Sequence, residues 1–334
     1  MTFALETPAT GTARLAPGNT DAFTILGKDV SAAQSAGEAL AMANMSGWNV
    51  SLWDDAVVRN LDDSGFTVLP MDDARGVVRT SPITGEAEYM GKVGNQYTAV
   101  QIEDHVDVLD MLRKESGATF HKAGAYGKNG ARWFISMTLP EILRIGGVDE
   151  HHMHLTLFGS HDGSSANSFH IGPKRLDCGN MQRIIIKGAA HSYSIPHTAS
   201  APAKLAQVHE ALATLLGWQD TFQRAAERLL DTPCTIDQLE RVAARAFKDP
   251  AMPGKQQQKN INARNTRLRH LMEVAATQES IRGTAWAAWN AIGELNDHEV
   301  RAKSTAQRAA NSLSDRSTAT KRKTIAFQEL SLAA

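Results

Sequence analysis

Residues 90–139 read MGKVGNQYTAVQIEDHVDVLDMLRKESGATFHKAGAYGKNGARWFISMTL, and this stretch decides the fold. Gly91 and Gly94 interrupt its first apolar residues, a pattern that predicts a strand followed by a tight turn. Apolar side chains then recur at helical spacing over residues 103–115, and Gly117 is placed to end that helix. Residues 128–130 are Lys-Asn-Gly between two β-like runs, which is a strong hairpin signal. The stretch therefore predicts a strand, an amphipathic helix and a β-hairpin in succession.

The chain on either side of this unit changes from β-like to helical patterns. Short apolar runs separated by turn residues occupy residues 48–93, and residues 152–158 alternate as another strand. From residue 201 onward the apolar spacing is helical, with a long amphipathic segment at 205–230. We therefore predict an α+β fold, in which an antiparallel sheet with hairpins and packed helices is followed by a mainly helical C-terminal part.

Composition suggests where the segments of the chain begin and end. Residues 1–28 are rich in Thr, Ala, Pro and Gly, so we expect a mobile leader there. An α+β core domain is expected at 29–200 and a helical region at 201–298, with a hinge at 249–258. Residues 299–334 form a basic tail, in which 301–323 hold seven cations and one acid. We expect that tail to be dispensable for folding.

Charge and cysteine content narrow the classes of protein. The 334 residues are 42% hydrophobic and 21% charged, which is typical of a globular protein. No apolar run approaches the roughly 20 residues that span a bilayer, so no membrane partner is expected. Two cysteines do not make a disulfide framework, and this favours a cytoplasmic protein. Residues 201–334 hold nineteen bases and fourteen acids. This excess of positive charge is typical of a surface that binds nucleic acid, but also of a solvated helix face or a charged tail.

A set of basic and aromatic residues could bind single-stranded nucleic acid, because bases stack on aromatic rings while cations contact phosphates. Alternation along a strand places Arg132 and Trp133 on opposite faces, so Trp133 is predicted to lie in the core. For Arg175 the alternative is a structural salt bridge with Asp162 or Asp177. The candidate nucleic-acid-binding residues are Lys122, Tyr126, Lys128, Arg132, Lys174, Arg175 and Arg183.

Histidines suggest an alternative site, because seven of the twelve lie between residues 151 and 197. His152 and His154 share one face of the predicted strand, and His161 and Asp162 follow it. Two imidazoles and a carboxylate can hold a divalent metal, although hydrogen-bonded structural histidines give the same pattern. No other cofactor is expected, since glycine loops of the nucleotide-binding types are absent. No catalytic motif is present, which favours a non-enzymatic protein.

A set of short motifs lies between residues 91 and 298, namely Gly91-Lys92-Val93-Gly94, Tyr97, Val100-Gln101, Ala123-Gly124-Ala125, Gly130, Trp133, Ser160-His161-Asp162-Gly163-Ser164, Arg175, Cys178, Asn180, His197-Thr198, Gly283-Thr284, Trp286, Asn290-Ala291, Glu294 and Asp297-His298. As a set, these residues resemble a family of phage- and plasmid-like proteins, domain of unknown function 932, over roughly residues 48–300. This resemblance implies an origin in a mobile element but no particular reaction.

The order of Tyr97, helix, Gly117 and hairpin is also similar to the core of single-strand annealing proteins of the Red-beta, RecT and Erf kind. That similarity implies a homo-oligomer that holds DNA in a basic groove. The leading hypothesis is therefore a protein that binds and anneals single-stranded DNA. The alternatives are a metal-dependent hydrolase or nuclease that uses His152, His154, His161 and Asp162, and a non-enzymatic protein that recruits a host partner.

Overall fold

The computed structural model describes residues 20–60, 65–176 and 191–333. The strands of this part are β1 (Lys28–Asp29), β2 (Ser51–Asn60), β3 (Phe66–Thr80), β4 (Ala87–Gly94), β5 (Thr119–Tyr126), β6 (Arg132–Ile145), β7 (Asp149–Ser160), β8 (Asn167–Arg175) and β9 (Ser192–Ile195). They form a six-stranded antiparallel sheet in the order β1-β5-β6-β7-β8-β9 and a three-stranded one in the order β2-β3-β4.

Helices dominate the second half of the chain. The α-helices are α1 (Ala22–Leu26), α2 (Ala36–Met42), α3 (Val106–Ser116), α4 (Ala201–Ala206), α5 (Val208–Asp231), α6 (Ile236–Phe247), α7 (Lys255–Glu273), α8 (Ala285–Glu294), α9 (Thr305–Leu313) and α10 (Thr318–Ala333). Short 3₁₀ turns occur at Glu103–His105, Lys128–Gly130 and Ala276–Ile281, and a π-turn at Leu295–Glu299 extends α8. The α+β fold predicted from the sequence is confirmed.

The unit at residues 90–139 forms as predicted. Helix α3 ends at Gly117, whose φ of 68° is the left-handed conformation that a glycine adopts without steric cost. Asn129 and Gly130, with φ of 48° and 69°, reverse the chain between β5 and β6. The two strands pair from Tyr126 opposite Arg132 onward, so the hairpin predicted from Asn129-Gly130 is confirmed.

The two faces of the large sheet differ sharply in polarity. Side chains alternate along each strand, and the pairing register aligns them across β5 to β9. One face carries Phe120, Ala123, Trp133, Ile135, Met137, Met153, Leu155, Leu157, Phe169, Ile171 and Ile195, all buried. The opposite face, called the polar face below, carries Lys122, Tyr126, Arg132, Ser136, Thr138, His152, His154, Thr156, Ser168, His170, Lys174, Ser192 and Ser194.

The apolar face packs against α5, and one hydrophobic core continues from Val30 to Leu330. The sheet and the C-terminal helices therefore share this core. On the polar face, Phe23 of α1 lies 5.1 Å from Phe134 between ring centroids. Gly124 permits that approach, because a Cβ at this position would lie 2.3 Å from the Leu26 carbonyl oxygen.

Three segments differ from the sequence-based expectations. Residues 20–28 are packed structure, because Asp21 caps α1 and Lys28 pairs with Ala123, so the leader cannot extend to residue 28. Glutamines 256–258 lie in α7, which begins at Lys255, and do not extend a hinge. The basic tail contains α9 and α10, whose buried side chains join the packed helices.

Candidate functional site

The polar face of the large sheet opens into a cleft of about 360 Å³ beside α9. One wall is formed by β7, β8 and β9, and the other by α9 and the segment that joins it to α10. Tyr126 and Phe158 contribute aromatic rings. Seven hydroxyl groups line the cleft, from Ser164, Ser165, Ser168, Ser192, Ser194, Ser314 and Ser317. A cavity of this size and polarity suits a ligand with many hydrogen-bonding groups.

Arg132 stands at the mouth of the cleft at the start of β6, with 46% of its side chain exposed. Its Nε donates to Asp162 Oδ2 at 3.0 Å. Ser164 N–H donates to the other Asp162 oxygen at 2.9 Å, and the pKa of this carboxyl is lowered by these contacts against the effect of burial. Gly91 of β4 allows the Asp162 turn to approach, since a Cβ there would lie 2.8 Å from Asp162 Cα.

Arg316 provides a second guanidinium, from the segment between α9 and α10. Its Nη1 donates to the Ser164 carbonyl oxygen at 2.5 Å, and the side chain is exposed. Arg132 and Arg316 thus contact the same turn, residues 162–164, from two parts of the chain 184 positions apart. The cleft therefore combines two cations, two aromatic rings and a ring of hydroxyl groups.

His170, His191 and Asp315 come together in the cleft region. Their ligand atoms all lie within 4.8 Å of one another, a spacing at which three side chains can hold one metal ion. His170 Nδ1 is 3.4 Å from Asp315 Oδ2, and Ser168 Oγ is 2.8 Å from His170 Nε2. The donors come from β8, from the start of the β9 ladder and from the segment before α10.

Most of the predicted nucleic-acid-binding cations lie outside the cleft. Lys122 pairs with Asp29 at 2.9 Å and Lys174 lies 3.5 Å from Asp21, at the opposite end of the polar face. Lys128 is exposed at the hairpin tip, with Nζ 4.4 Å from the centroid of the Tyr89 ring. Arg183 falls outside the described residues. The structure thus brings Tyr126 and Arg132 together, with Lys128 nearby.

Arg175 points to the apolar side of the sheet and is fully buried. Its Nε donates to Asp149 Oδ1 at 2.6 Å, a partner that the sequence did not suggest, and Asp177 lies outside the described residues. Trp286 Nε1 donates to Asp149 Oδ2 at 2.6 Å, and Gln278 donates to Glu294 at 3.2 Å within the same interior. This hydrogen-bond network joins β7 and β8 to α8 and therefore has a structural role. Arg175 is inaccessible to phosphate.

The four residues of the predicted metal site do not converge. His154 lies in β7 and His161 directly follows this strand, seven residues later, which corresponds to roughly 23 Å of extended chain. His154 is buried on the polar face, where burial and the nearby His121 hold its pKa well below the usual value. His161 lies on the other side, and Trp133 Nε1 donates to its Nε2 at 3.1 Å. Burial, together with His197, lowers the pKa of His161 to about 3, so it is a neutral acceptor in the interior.

Sequence reasoning missed His170, His191, Asp315 and Arg316 as site residues. The two histidines belong to the histidine-rich segment 151–197, so composition had marked the correct region. Asp315 and Arg316 lie more than 120 positions later in a segment that composition suggested was a tail. Only the packing of α9 against the polar face brings the two parts together.

Comparison with known proteins gives one positive result. No curated protein and no solved structure matches the chain, so the similarity to annealing proteins stays a prediction. None of the helices in the described residues combines the length and apolar character needed to cross a bilayer. A family model described as "Domain of unknown function (DUF932)" matches residues 89–317, about two thirds of the chain. The matched range includes β5 to β9, the cleft, and His170, His191 and Asp315. The chain therefore belongs to this family.

Proposed function

We propose that this chain is a mobile-element-derived protein of the cytoplasm that binds single-stranded DNA in the polar-face cleft and promotes annealing. One observation carries the proposal: Arg132, Arg316, Tyr126 and a ring of serine hydroxyls line the same cleft. Guanidinium groups and hydroxyls donate to phosphate oxygens, and a tyrosine ring accepts a stacked base.

The ion pair at the mouth of the cleft is compatible with phosphate binding. Arg132 and Asp162 are both partly exposed, and an exposed pair of this kind contributes about 0–1 kcal/mol. A phosphate can therefore compete for the guanidinium at little cost. Arg316 uses one nitrogen for the Ser164 carbonyl oxygen, which leaves other N–H groups of its guanidinium to face a ligand.

The hairpin tip extends the same surface beyond the cleft. Lys128 is exposed beside Tyr89, and Asn129 donates to the Tyr89 carbonyl oxygen at 2.9 Å, which holds the tip against β4. The Tyr89 side chain is partly exposed and offers a second ring. A surface on which cations and aromatic rings alternate suits several successive nucleotides of one strand.

For the homo-oligomer that the similarity to annealing proteins implies, we propose the distal part of the β2–β3 hairpin as the contact. Strand β4 pairs only with Ala74–Thr80 of β3, so residues 56–60 and 66–70 form a two-stranded ribbon. Its apolar side chains Val57, Val58, Val68 and Leu69 are 46–61% exposed. An isolated two-stranded ribbon is marginally stable in water, and contact with a second copy would cover it.

The test is fluorescence anisotropy of labelled oligo-dT at about 50 and 200 mM salt, because release of counterions makes phosphate binding salt-dependent. We expect Arg132→Gln and Arg316→Gln each to weaken binding and to reduce the salt slope by about one. The matched control is Arg144→Gln, since Arg144 is also an exposed, carboxylate-paired arginine of β6 but lies outside the cleft.

Annealing of complementary labelled strands, followed by energy transfer, tests the second part of the proposal. The wild-type chain should accelerate annealing, and Arg132→Gln should reduce the effect. Lack of binding to oligo-dT at low salt, or equal losses in Arg132→Gln and Arg144→Gln, would refute the cleft as the binding site.

A further inference from the structure

His170, His191 and Asp315 form a group whose ligand atoms all lie within 4.8 Å of one another. Nδ1 of His170 and Oδ2 of Asp315 are 3.4 Å apart, beyond the 2.7–3.2 Å of a normal N–H···O hydrogen bond. Two ligands that each lie about 2.0–2.1 Å from a tetrahedral zinc ion are roughly 3.3 Å apart. The observed separation is therefore compatible with two atoms that bind the same metal ion.

The surroundings of His170 fix its ring for such a role. Ser168 Oγ lies 2.8 Å from Nε2, so a proton on Nε2 can be donated to this hydroxyl. In that tautomer the lone pair of Nδ1 faces the Asp315 carboxylate, so both atoms can coordinate the same cation. A histidine ligand whose second nitrogen donates to a neighbouring group is the usual arrangement at protein metal sites.

His191 supplies a third donor from a fixed position. Its carbonyl oxygen accepts from Ile171 N–H at 3.0 Å, which ties it to β8 directly after His170. The His170 and His191 rings are 5.9 Å apart between centroids. The ligand atom of His191 lies within 4.8 Å of those of His170 and Asp315, so all three side chains can reach one ion.

We propose that His170, His191 and Asp315 bind one divalent first-row transition metal ion at the polar-face cleft. Two imidazoles and a carboxylate, without thiolate, form a donor set that suits Zn²⁺, Mn²⁺ or Fe²⁺. Three protein ligands leave coordination positions open for water or for a ligand oxygen. The two proposals share one cleft but are tested separately, since metal binding is measured without nucleic acid.

The experiment titrates the metal-free full-length protein with Zn²⁺ by calorimetry and follows Co²⁺ by its visible absorption. The wild-type chain should bind one ion, with a Co²⁺ spectrum of imidazole and carboxylate ligation. His170→Ala, His191→Ala and Asp315→Asn should each weaken Zn²⁺ binding by more than about 100-fold, and Ser168→Ala by about 10- to 100-fold. Zn²⁺ should also raise the melting temperature of the wild-type protein.

His152→Ala is the matched control, because His152 lies on the same polar face at the other end of β7. It should bind Zn²⁺ as the wild type does. Asp315→Asn preserves side-chain shape, so it tests the site even if His170→Ala fails to fold. Absence of stoichiometric binding to the wild type, or binding that survives both His191→Ala and Asp315→Asn, would overturn the proposal.

Discussion

Arg175 shows how far the role of a single residue depends on which face of a strand it occupies. Lys174 and Arg175 are adjacent basic residues, yet Lys174 lies on the polar face and Arg175 lies in the interior. The Arg175 guanidinium and the Asp149 carboxylate are both fully buried and 2.6 Å apart. The buried pair is tolerated because the two charges face each other and Trp286 also donates a hydrogen bond to Asp149.

Replacing Arg175 by methionine should leave Asp149 as an uncompensated buried charge. We expect Arg175→Met to lower the free energy of unfolding by about 3–5 kcal/mol, measured by urea denaturation. Arg144→Met is the control, since Arg144 pairs with Glu150 at the exposed end of the neighbouring strand and should cost less than about 1 kcal/mol. Similar losses in the two variants would argue against the buried network.

At the scale of elements, the C-terminal segment has a role that its composition hides. The basic residue Lys323 of α10 is buried and lies 3.0 Å from Asp297 Oδ1, while Ser312 of α9 donates to the same oxygen. Ala326, Phe327 and Leu330 of α10 join the main core. The exposed cations of this segment are Arg301, Lys303, Arg316 and Lys321, whereas Arg308 and Arg322 are half-buried.

Truncation after His298 should therefore unfold the protein or make it insoluble, in contrast to the expectation from sequence. Burial of Phe327 and of Leu330 each contributes about 1.5–3 kcal/mol, and Asp297 would lose its cation. Truncation after Ser331 is the control, because it removes the exposed Leu332 and keeps Leu330. Circular dichroism during heating gives the comparison, and a cooperative transition in the shorter chain would contradict the packed tail.

The β2–β3 ribbon offers a second test at this scale. Val57 and Leu69 face each other across the ribbon, and Val57→Lys with Leu69→Glu replaces this apolar pair by opposite charges that a hairpin tolerates. We expect the double variant to lower the oligomeric state in sedimentation velocity. Met252→Lys changes an exposed apolar residue outside the ribbon and should have no effect. An unchanged assembly, or a monomeric wild type, would disprove the ribbon contact.

Over the whole molecule, buried histidines make the fold sensitive to acid. Burial lowers the pKa of His121 and of His161 to about 3 and that of His197 to about 4. The unfolded chain takes up these protons near pH 6.5, whereas the folded one does so only at much lower pH. Their contribution to stability is therefore complete above pH 6.5 and is lost as the pH falls toward 4 and 3.

Urea denaturation between pH 7.5 and 4.5 should show this loss, with each such histidine adding up to about 1.4 kcal/mol per pH unit below 6.5. The slope should be smaller in His161→Gln than in the wild type. His270→Gln, at an exposed position of α7, serves as the control and should keep the wild-type slope. A free energy of unfolding that does not change over this range would contradict the prediction.

Local signals in the sequence determined the fold class and many elements. The Asn129-Gly130 turn and the end of α3 at Gly117 depend on backbone conformation within a few residues, so the sequence reveals them directly. Alternation likewise assigned Trp133 to the core. These predictions succeeded because their physical causes, steric limits and period-two pleating, act over short distances.

Tertiary structure alone decided which side chains meet. Strand register set the polar face, the shared core placed α9 over it, and Asp315 and Arg316 thereby joined His170 and Arg132. The same packing gave Arg175 its partner Asp149 and buried Lys323. Such contacts depend on the sum of many weak interactions between segments far apart in the chain, and no local pattern of residues encodes that sum.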